Sequence, residues 1–185
     1  MPLLPKEPDT FPEDLLQRSN IGDATWFVLH TLPRREKELA RRLLRMEIPF
    51  YAPVIERRLR SAQGRTRSSF VPLFPGYVFM LADREQRQQS FTSNCIARSL
   101  DVIDSDQLVR DLRQIQQLIQ SNAPLTPESR IEPGMRVRVR SGALAGLEGT
   151  VVKRRGTERL LVMVHLLQQG ASVQLEDYQV ERIDD

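Results

Sequence analysis

The run at residues 70–81, FVPLFPGYVFML, constrains the possible folds more than any other stretch of the chain. It is the most apolar segment, which is typical of a core strand, yet it contains Pro72, Pro75 and Gly76. Proline cannot donate a ladder hydrogen bond, so it is confined to strand ends, edges and bulges. The run therefore predicts a kinked approach to a strand that begins near Tyr77, with aromatic residues around the kink.

The segments around this run alternate between strand and helix patterns. Residues 25–32 are rich in β-branched and aromatic side chains, which predicts a strand. Apolar residues recur every three to four positions in two segments, which predicts amphipathic helices at 34–46 and 105–120. An extended segment at 50–60 precedes a polar, glycine-containing hairpin tip at 61–69. The order of elements predicts an α+β domain in which helices flank an antiparallel sheet.

The pattern changes after residue 122. Apolar Met135, Val137 and Val139 alternate with arginines, which predicts a half-buried strand. Three further short strands follow, and this many strands in so few residues favours a small β-barrel. The predicted organisation is a mobile tail, an N-terminal domain, a linker and a barrel domain, with boundaries at 1–23, 24–122, 123–131 and 132–185.

Composition excludes several classes of protein. No run of apolar residues is long enough to span a membrane, and the N-terminal residues lack a signal-peptide pattern. A single cysteine, Cys95, cannot form an internal disulfide, so we expect a cytoplasmic protein. His30 and His165 lie far from it in the sequence, and no motif for catalysis, a metal or a cofactor is present. The sequence predicts a binding protein and not an enzyme.

Glycines mark the second informative segment, RVRVRSGALAGLEGTVVKR. Gly142, Gly146 and Gly149 lie between two predicted strands, where glycine allows positive φ or a tight return. The segment resembles a KOW motif, the SH3-like barrel module of transcription elongation factors and some ribosomal proteins. That resemblance implies that residues 132–185 form such a barrel.

The N-terminal half resembles the N-terminal domain of the NusG family. The resemblance rests on the strand that starts at Trp26 and Phe27, the helix after it, and the Phe-Pro-Gly-Tyr sequence at 74–77. The two resemblances follow the family's order, with a linker between them. Together they cover about residues 24–183.

The family resemblance implies a function and its site residues. It implies that the N-terminal domain binds the clamp helices of RNA polymerase, with Phe74, Pro75, Gly76 and Tyr77 at the contact; these aromatics could instead be core. Trp26 either lines a pocket at this polymerase contact or belongs to the core. The barrel is expected to recruit a partner such as Rho or a small-subunit ribosomal protein. Its contact would be at Leu166 and Leu167, unless these also belong to the core.

Positive charge is concentrated in the N-terminal domain, where residues 24–122 carry sixteen basic and ten acidic side chains. The family resemblance implies that the hairpin faces the DNA or RNA of the elongation complex. Five arginines of the hairpin suit phosphate contacts: Arg57, Arg58, Arg60, Arg65 and Arg67. The alternative is that these side chains only face solvent.

The region after the Phe-Pro-Gly-Tyr strand departs from the general members of the family. It favours a specialised, operon-specific paralogue that acts in antitermination. The alternatives are a general NusG and a ribosome- or RNA-associated KOW protein. We expect a monomer with no membrane partner.

Overall fold

The computed structural model divides by internal contacts into two compact units, residues 1–105 and 106–185. Both units contain antiparallel sheets, and the mixed α+β class predicted from the sequence is confirmed. The structure describes residues 6–19, 21–60, 64, 66–129, 134–175 and 178–183, without the side chains of residues 59, 60 and 67.

The N-terminal unit contains seven strands and two α-helices among its described residues. The strands are β1 Thr10–Phe11, β2 Thr25–Thr31, β3 Phe50–Tyr51, β4 Val54–Arg60, β5 Thr66–Pro72, β6 Tyr77–Ala82 and β7 Ile96–Asp101. The helices are α1 Glu36–Arg45 and α2 Arg84–Ser90. Five strands form an antiparallel sheet in the order β1-β3-β6-β2-β7, and β4 and β5 form a separate two-stranded ribbon.

One face of the five-stranded sheet packs on α1. Leu39 and Leu43 of the helix meet Phe27, Leu29 and alternate residues of β6 in one buried cluster. The four-residue spacing of the two leucines, which predicted the helix, therefore provides its contact with the sheet. Burial of these side chains fixes the register of β2 and β6, because a slip by one residue would turn every apolar side chain to the opposite face.

The N-terminal segment differs from the mobile tail that the sequence predicts. Thr10 and Phe11 pair with β3, and the amide of Ala52 donates to the carbonyl oxygen of Asp9 at 2.7 Å. Leu15 and Leu16 are buried in a short 3-10 helix at Leu15–Gln17. This segment has no helix or strand periodicity of its own. It is ordered because Thr10 and Phe11 pair with the edge of the sheet and because Leu15 and Leu16 are buried.

The C-terminal unit contains one helix and six strands among its described residues. They are α3 Ser105–Gln120, whose first residue falls in the N-terminal unit, and the strands β8 Thr126–Glu128, β9 Met135–Val139, β10 Glu148–Arg154, β11 Thr157–Val164, β12 Gln169–Gln174 and β13 Val180–Arg182. A 3-10 helix at His165–Leu167 joins β11 to β12. The predicted helix at 105–120 and the strand at 135–139 are both confirmed.

The C-terminal sheet is open, in contrast to the predicted closed barrel. Its strand order is β13-β9-β10-β11-β12-β8, and the two edge strands do not pair with each other in the described part of the chain. The strand β8 lies within the segment predicted as a linker and pairs with β12. Successive residues of β11 and β12 are buried, so both faces of this sheet are covered there. The other buried apolar side chains of the unit include those of α3, together with Leu144 and Leu147 of the glycine-rich loop.

Candidate functional site

The Phe-Pro-Gly-Tyr sequence forms a turn between β5 and β6. The amide of Tyr77 donates to the carbonyl oxygen of Phe74 at 3.1 Å, and the carbonyl oxygen of Gly76 accepts from the amide of Thr31 at 2.8 Å. Gly76 has φ of +86°, a conformation that side chains with a Cβ rarely adopt. Pro75 is exposed in the turn, and β6 starts only at Tyr77. The predicted kink before the strand is confirmed.

Phe74 and Trp26 are core residues. Phe74 is 1% exposed, and its ring stands edge-on to that of Phe79 with 6.0 Å between the centroids. Trp26 is buried and pairs with Leu81 in the sheet. Of the two alternatives that the sequence left open for Phe74, a polymerase contact or the core, its burial favours the core, because the turn directs its ring onto Phe79.

The end of the sheet beside this turn carries the exposed part of the predicted site. Tyr77 is half-buried, and its ring packs at a tilt against the ring of His30 with 5.2 Å between the centroids. His30 in turn pairs with Arg98 on β7, whose side chain is exposed. Leu32 and Pro75 are exposed nearby in the chain. We call His30, Leu32, Pro75, Tyr77 and Arg98 the sheet-end surface.

An acidic side chain that the sequence analysis did not single out fixes this turn. Glu36, the first residue of α1, accepts a 2.6 Å hydrogen bond from the amide of Gly76 through Oε1. The residue is only 9% exposed. In the sequence, Glu36 is an acidic residue in the first turn of a predicted helix, where the helix dipole stabilises negative charge. This position does not indicate a partner forty residues away.

The ribbon formed by β4 and β5 carries the predicted arginines. Arg57 and Arg58 are exposed and lie opposite Ser69 and Ser68. Arg58 lies 3.6 Å from Glu56, and the pKa of that carboxyl is lowered by a hydrogen bond with Ser68 and by the charge of Arg58. Arg65 lies outside the described residues, as do the side chains of Arg60 and Arg67. The predicted hairpin is confirmed by the pairing of Arg60 with Thr66.

The three glycines of the KOW-like segment act in two different ways. Gly142 and Gly146 have φ of +84° and +85° in the loop that joins β9 to β10. Gly149 is in β10 and does not adopt positive φ. A Cβ at Gly149 would instead clash with the carbonyl oxygen of Leu161 on the neighbouring strand. The requirement for glycine at this position comes from close approach of the backbones.

The predicted partner-binding leucines lie in the 3-10 helix that follows β11. Leu166 is 46% exposed and Leu167 is half-buried. The first residue of this helix, His165, is held by Asp111 of α3, which is itself 1% exposed. The Asp111 carboxylate accepts from the His165 amide at 2.9 Å and lies 3.0 Å from Nδ1 of the ring.

Further polar contacts join α3 to the glycine-rich segment. Gln114 accepts from the amide of Glu148 at 2.7 Å, and Gln117 donates to the carbonyl oxygen of Ala145 at 3.0 Å. Beside these contacts is a cavity of about 260 Å³ lined by polar residues of α3 and by residues of β9, β10 and β11, among them apolar Leu161 and Met163. These contacts were not predicted, because an amphipathic period identifies the apolar face of a helix and says nothing of what its polar face binds.

The described residues provide no cluster of three or more histidine, cysteine, aspartate or glutamate side chains placed to hold a metal ion. Cys95 is buried. In the described part of the chain, no helix is both long enough and apolar enough to cross a membrane.

Comparison with known protein families gives one result. The family model for the transcription termination factor nusG matches residues 24–131, which include both the sheet-end surface and α3. A comparison with curated proteins gives no match. Because the family model covers more than half of the 185 residues, the chain belongs to the NusG family of transcription factors.

Proposed function

We propose that this protein is a transcription elongation and antitermination factor that binds RNA polymerase through its N-terminal domain. Members of the NusG family are non-enzymatic transcription factors that bind RNA polymerase. The observation that carries the proposal is the half-exposed, ring-packed pair of Tyr77 and His30 beside an exposed proline, within the range that the family model matches.

The sheet-end surface is the polymerase contact in this proposal, and the clamp helices are its target. Aromatic and aliphatic groups with one cation suit a mixed helical surface, because interface cores are enriched in aromatic residues and arginine. Phe74, Gly76 and Trp26 then support the surface from beneath, while Pro75 and Tyr77 make contact. The ribbon with Arg57 and Arg58 faces the nucleic acid of the elongation complex, and through it the factor alters pausing and termination in the cytoplasm.

The C-terminal sheet recruits a second protein in this proposal. Exposed Leu166 supports a contact at the His165–Leu167 helix, and Rho or a small-subunit ribosomal protein is the candidate partner. The domain limits 24–122 and 132–185, the monomeric state and the specialised, operon-specific role remain predictions from the sequence. A general NusG and a ribosome-associated KOW protein are the competing functions.

Retention of RNA polymerase by the immobilised full-length chain tests the proposal. We expect Tyr77→Ala to weaken retention by about tenfold, which is typical of an aromatic hot spot at an interface. Phe91→Ala is the matched control, because Phe91 is an exposed aromatic residue of the same unit outside the sheet-end surface. Equal retention by the wild type and Tyr77→Ala would contradict the proposed site. Retention of ribosomes and not of polymerase would favour the ribosome-associated alternative.

A further inference from the structure

Glu36 differs from the other acidic residue in the first turn of α1. Glu38 pairs with Arg42 on the same helix at 2.8 Å, and both side chains are substantially exposed. Glu36 is nearly buried, and it accepts a hydrogen bond from the backbone amide of Gly76 in the turn before β6. A buried carboxylate that accepts from a single backbone amide is a specific contact and not a solvated helix-end charge.

The backbone of Gly76 is held on both sides. Its amide donates to Glu36 at 2.6 Å, and its carbonyl oxygen accepts from Thr31 at 2.8 Å. Thr31 follows His30, so the second bond fixes the turn relative to the strand that carries the histidine ring. A Cβ added to Gly76 would lie 3.6 Å from Nε2 of His30, which places the turn directly against that ring. The conformation of the turn therefore sets how Tyr77 and His30 meet.

We propose that Glu36 is the positioning residue for the polymerase-binding surface. By holding Gly76 in its left-handed conformation, the Glu36 carboxylate fixes Pro75 and Tyr77 for contact without contacting the polymerase itself. The inference rests on the proposed function, and it adds a residue that the Phe-Pro-Gly-Tyr pattern does not include. If the bond is lost, the turn gains conformational freedom that binding must then remove, which lowers affinity.

Two substitutions in the full-length chain separate the hydrogen bond from the charge. Glu36→Gln keeps the length of the side chain and an acceptor oxygen but removes the charge. Glu36→Asp keeps the charge but is one methylene shorter and cannot reach the Gly76 amide. We expect Glu36→Asp to reduce polymerase affinity by about fivefold or more and Glu36→Gln to remain within about twofold of the wild type. Glu38→Ala is the matched control on the same helix and should leave affinity unchanged.

Amide hydrogen exchange at Gly76 and Tyr77 provides a readout that does not depend on the polymerase. We expect exchange at both amides to accelerate in Glu36→Asp and to stay slow in Glu36→Gln. Faster exchange in Glu36→Asp with unchanged affinity would overturn the positioning role while leaving the proposed function intact. Weakening by Glu36→Gln equal to that by Glu36→Asp would also overturn it, because charge would then be the cause. Failure of the wild type to bind polymerase would overturn the proposed function and the inference together.

Discussion

Two hairpins in this protein use arginine differently. On the β4–β5 ribbon, the Arg58 side chain is 74% exposed and lies 3.6 Å from the exposed carboxylate of Glu56. On the β10–β11 hairpin, Arg154 donates to the nearly buried Glu128 at 3.0 Å, and Arg159 donates to Ser172 at 2.8 Å. The Arg58 side chain is therefore mostly open to solvent, whereas Arg154 links β10 to β8 and Arg159 links β11 to β12. A count of basic residues in a hairpin does not distinguish these roles, which depend on what the neighbouring strands offer.

The largest effect is expected where the second hairpin has no room for a side chain. Gly149→Val would overlap the carbonyl oxygen of Leu161 and the side chain of Leu160, so we expect it to lower the free energy of unfolding by about 3 kcal/mol or more. Gly146→Ala is the control. It meets no atom within 4 Å and should cost only about 1–2 kcal/mol for its positive φ. Denaturant unfolding measures both, and equal losses would contradict the close-approach explanation.

A smaller loss is expected when the carboxylate that fastens the second hairpin is removed. Glu128→Ala would remove the carboxylate that accepts from Arg154 and from the buried Ser172 hydroxyl. We expect the free energy of unfolding to fall by about 1–2 kcal/mol. Thermal unfolding compared with Glu158→Ala, an exposed carboxylate on β11 of the same sheet, checks this value. No difference between the two variants would mean that the Glu128 contacts with Arg154 and Ser172 add no more stability than an exposed carboxylate does.

Substitutions on the first hairpin are expected to change stability least, and their main effect should be on binding to the elongation complex. Arg57→Gln with Arg58→Gln should alter the free energy of unfolding by less than about 0.5 kcal/mol, because exposed ion pairs contribute little. The same variant should reduce the slope of log affinity against log salt concentration for the elongation complex by up to about 2. Lys153→Gln with Arg155→Gln removes the same charge from the other hairpin and should leave that slope unchanged. Identical slopes in all three proteins would remove the functional distinction between the hairpins.

Prediction from the sequence succeeded where a repeating pattern faces a core. The apolar stripes of α1 and α3, the alternation in β9 and the Pro-Gly kink each identify an element, because burial of one face is a local property of the sequence. The sequence also indicated positive φ at Gly142, since few other residues fit such a turn, and it predicted a tight return near Gly146.

Prediction failed where order comes from a distant partner. Strand β8 is ordered by its pairing with β12 and by the hydrogen bond between Glu128 and Ser172. Its own residues have the composition of a linker, which is why the sequence predicted one. Leu15 and Leu16 lie in a segment without helical or strand periodicity, so the sequence did not predict their burial. The helix α2 has no apolar stripe. Asp83 and Gln86, three residues apart, form a capping box at its start, and this spacing could have been detected in the sequence.

The site itself was predicted in part. The Phe-Pro-Gly-Tyr sequence identified the turn, but it could not show that Phe74 packs inward while Tyr77 stays half-exposed. That division depends on the register of β6 against β2, which pairs Tyr77 with His30. Glu36 was missed because its partner is forty residues away in the chain and is a backbone amide, which leaves no trace in residue type.

Site-specific crosslinking of the full-length chain to RNA polymerase tests whether the sheet-end surface contacts the clamp helices. A photoreactive amino acid replaces Pro75 of the sheet-end surface in one protein and Phe91 in another, and both are illuminated in a reconstituted elongation complex. We expect a crosslink from position 75 to the clamp helices and none from position 91. A crosslink from position 91 alone, or no crosslink from position 75 in a complex that has assembled, would contradict it.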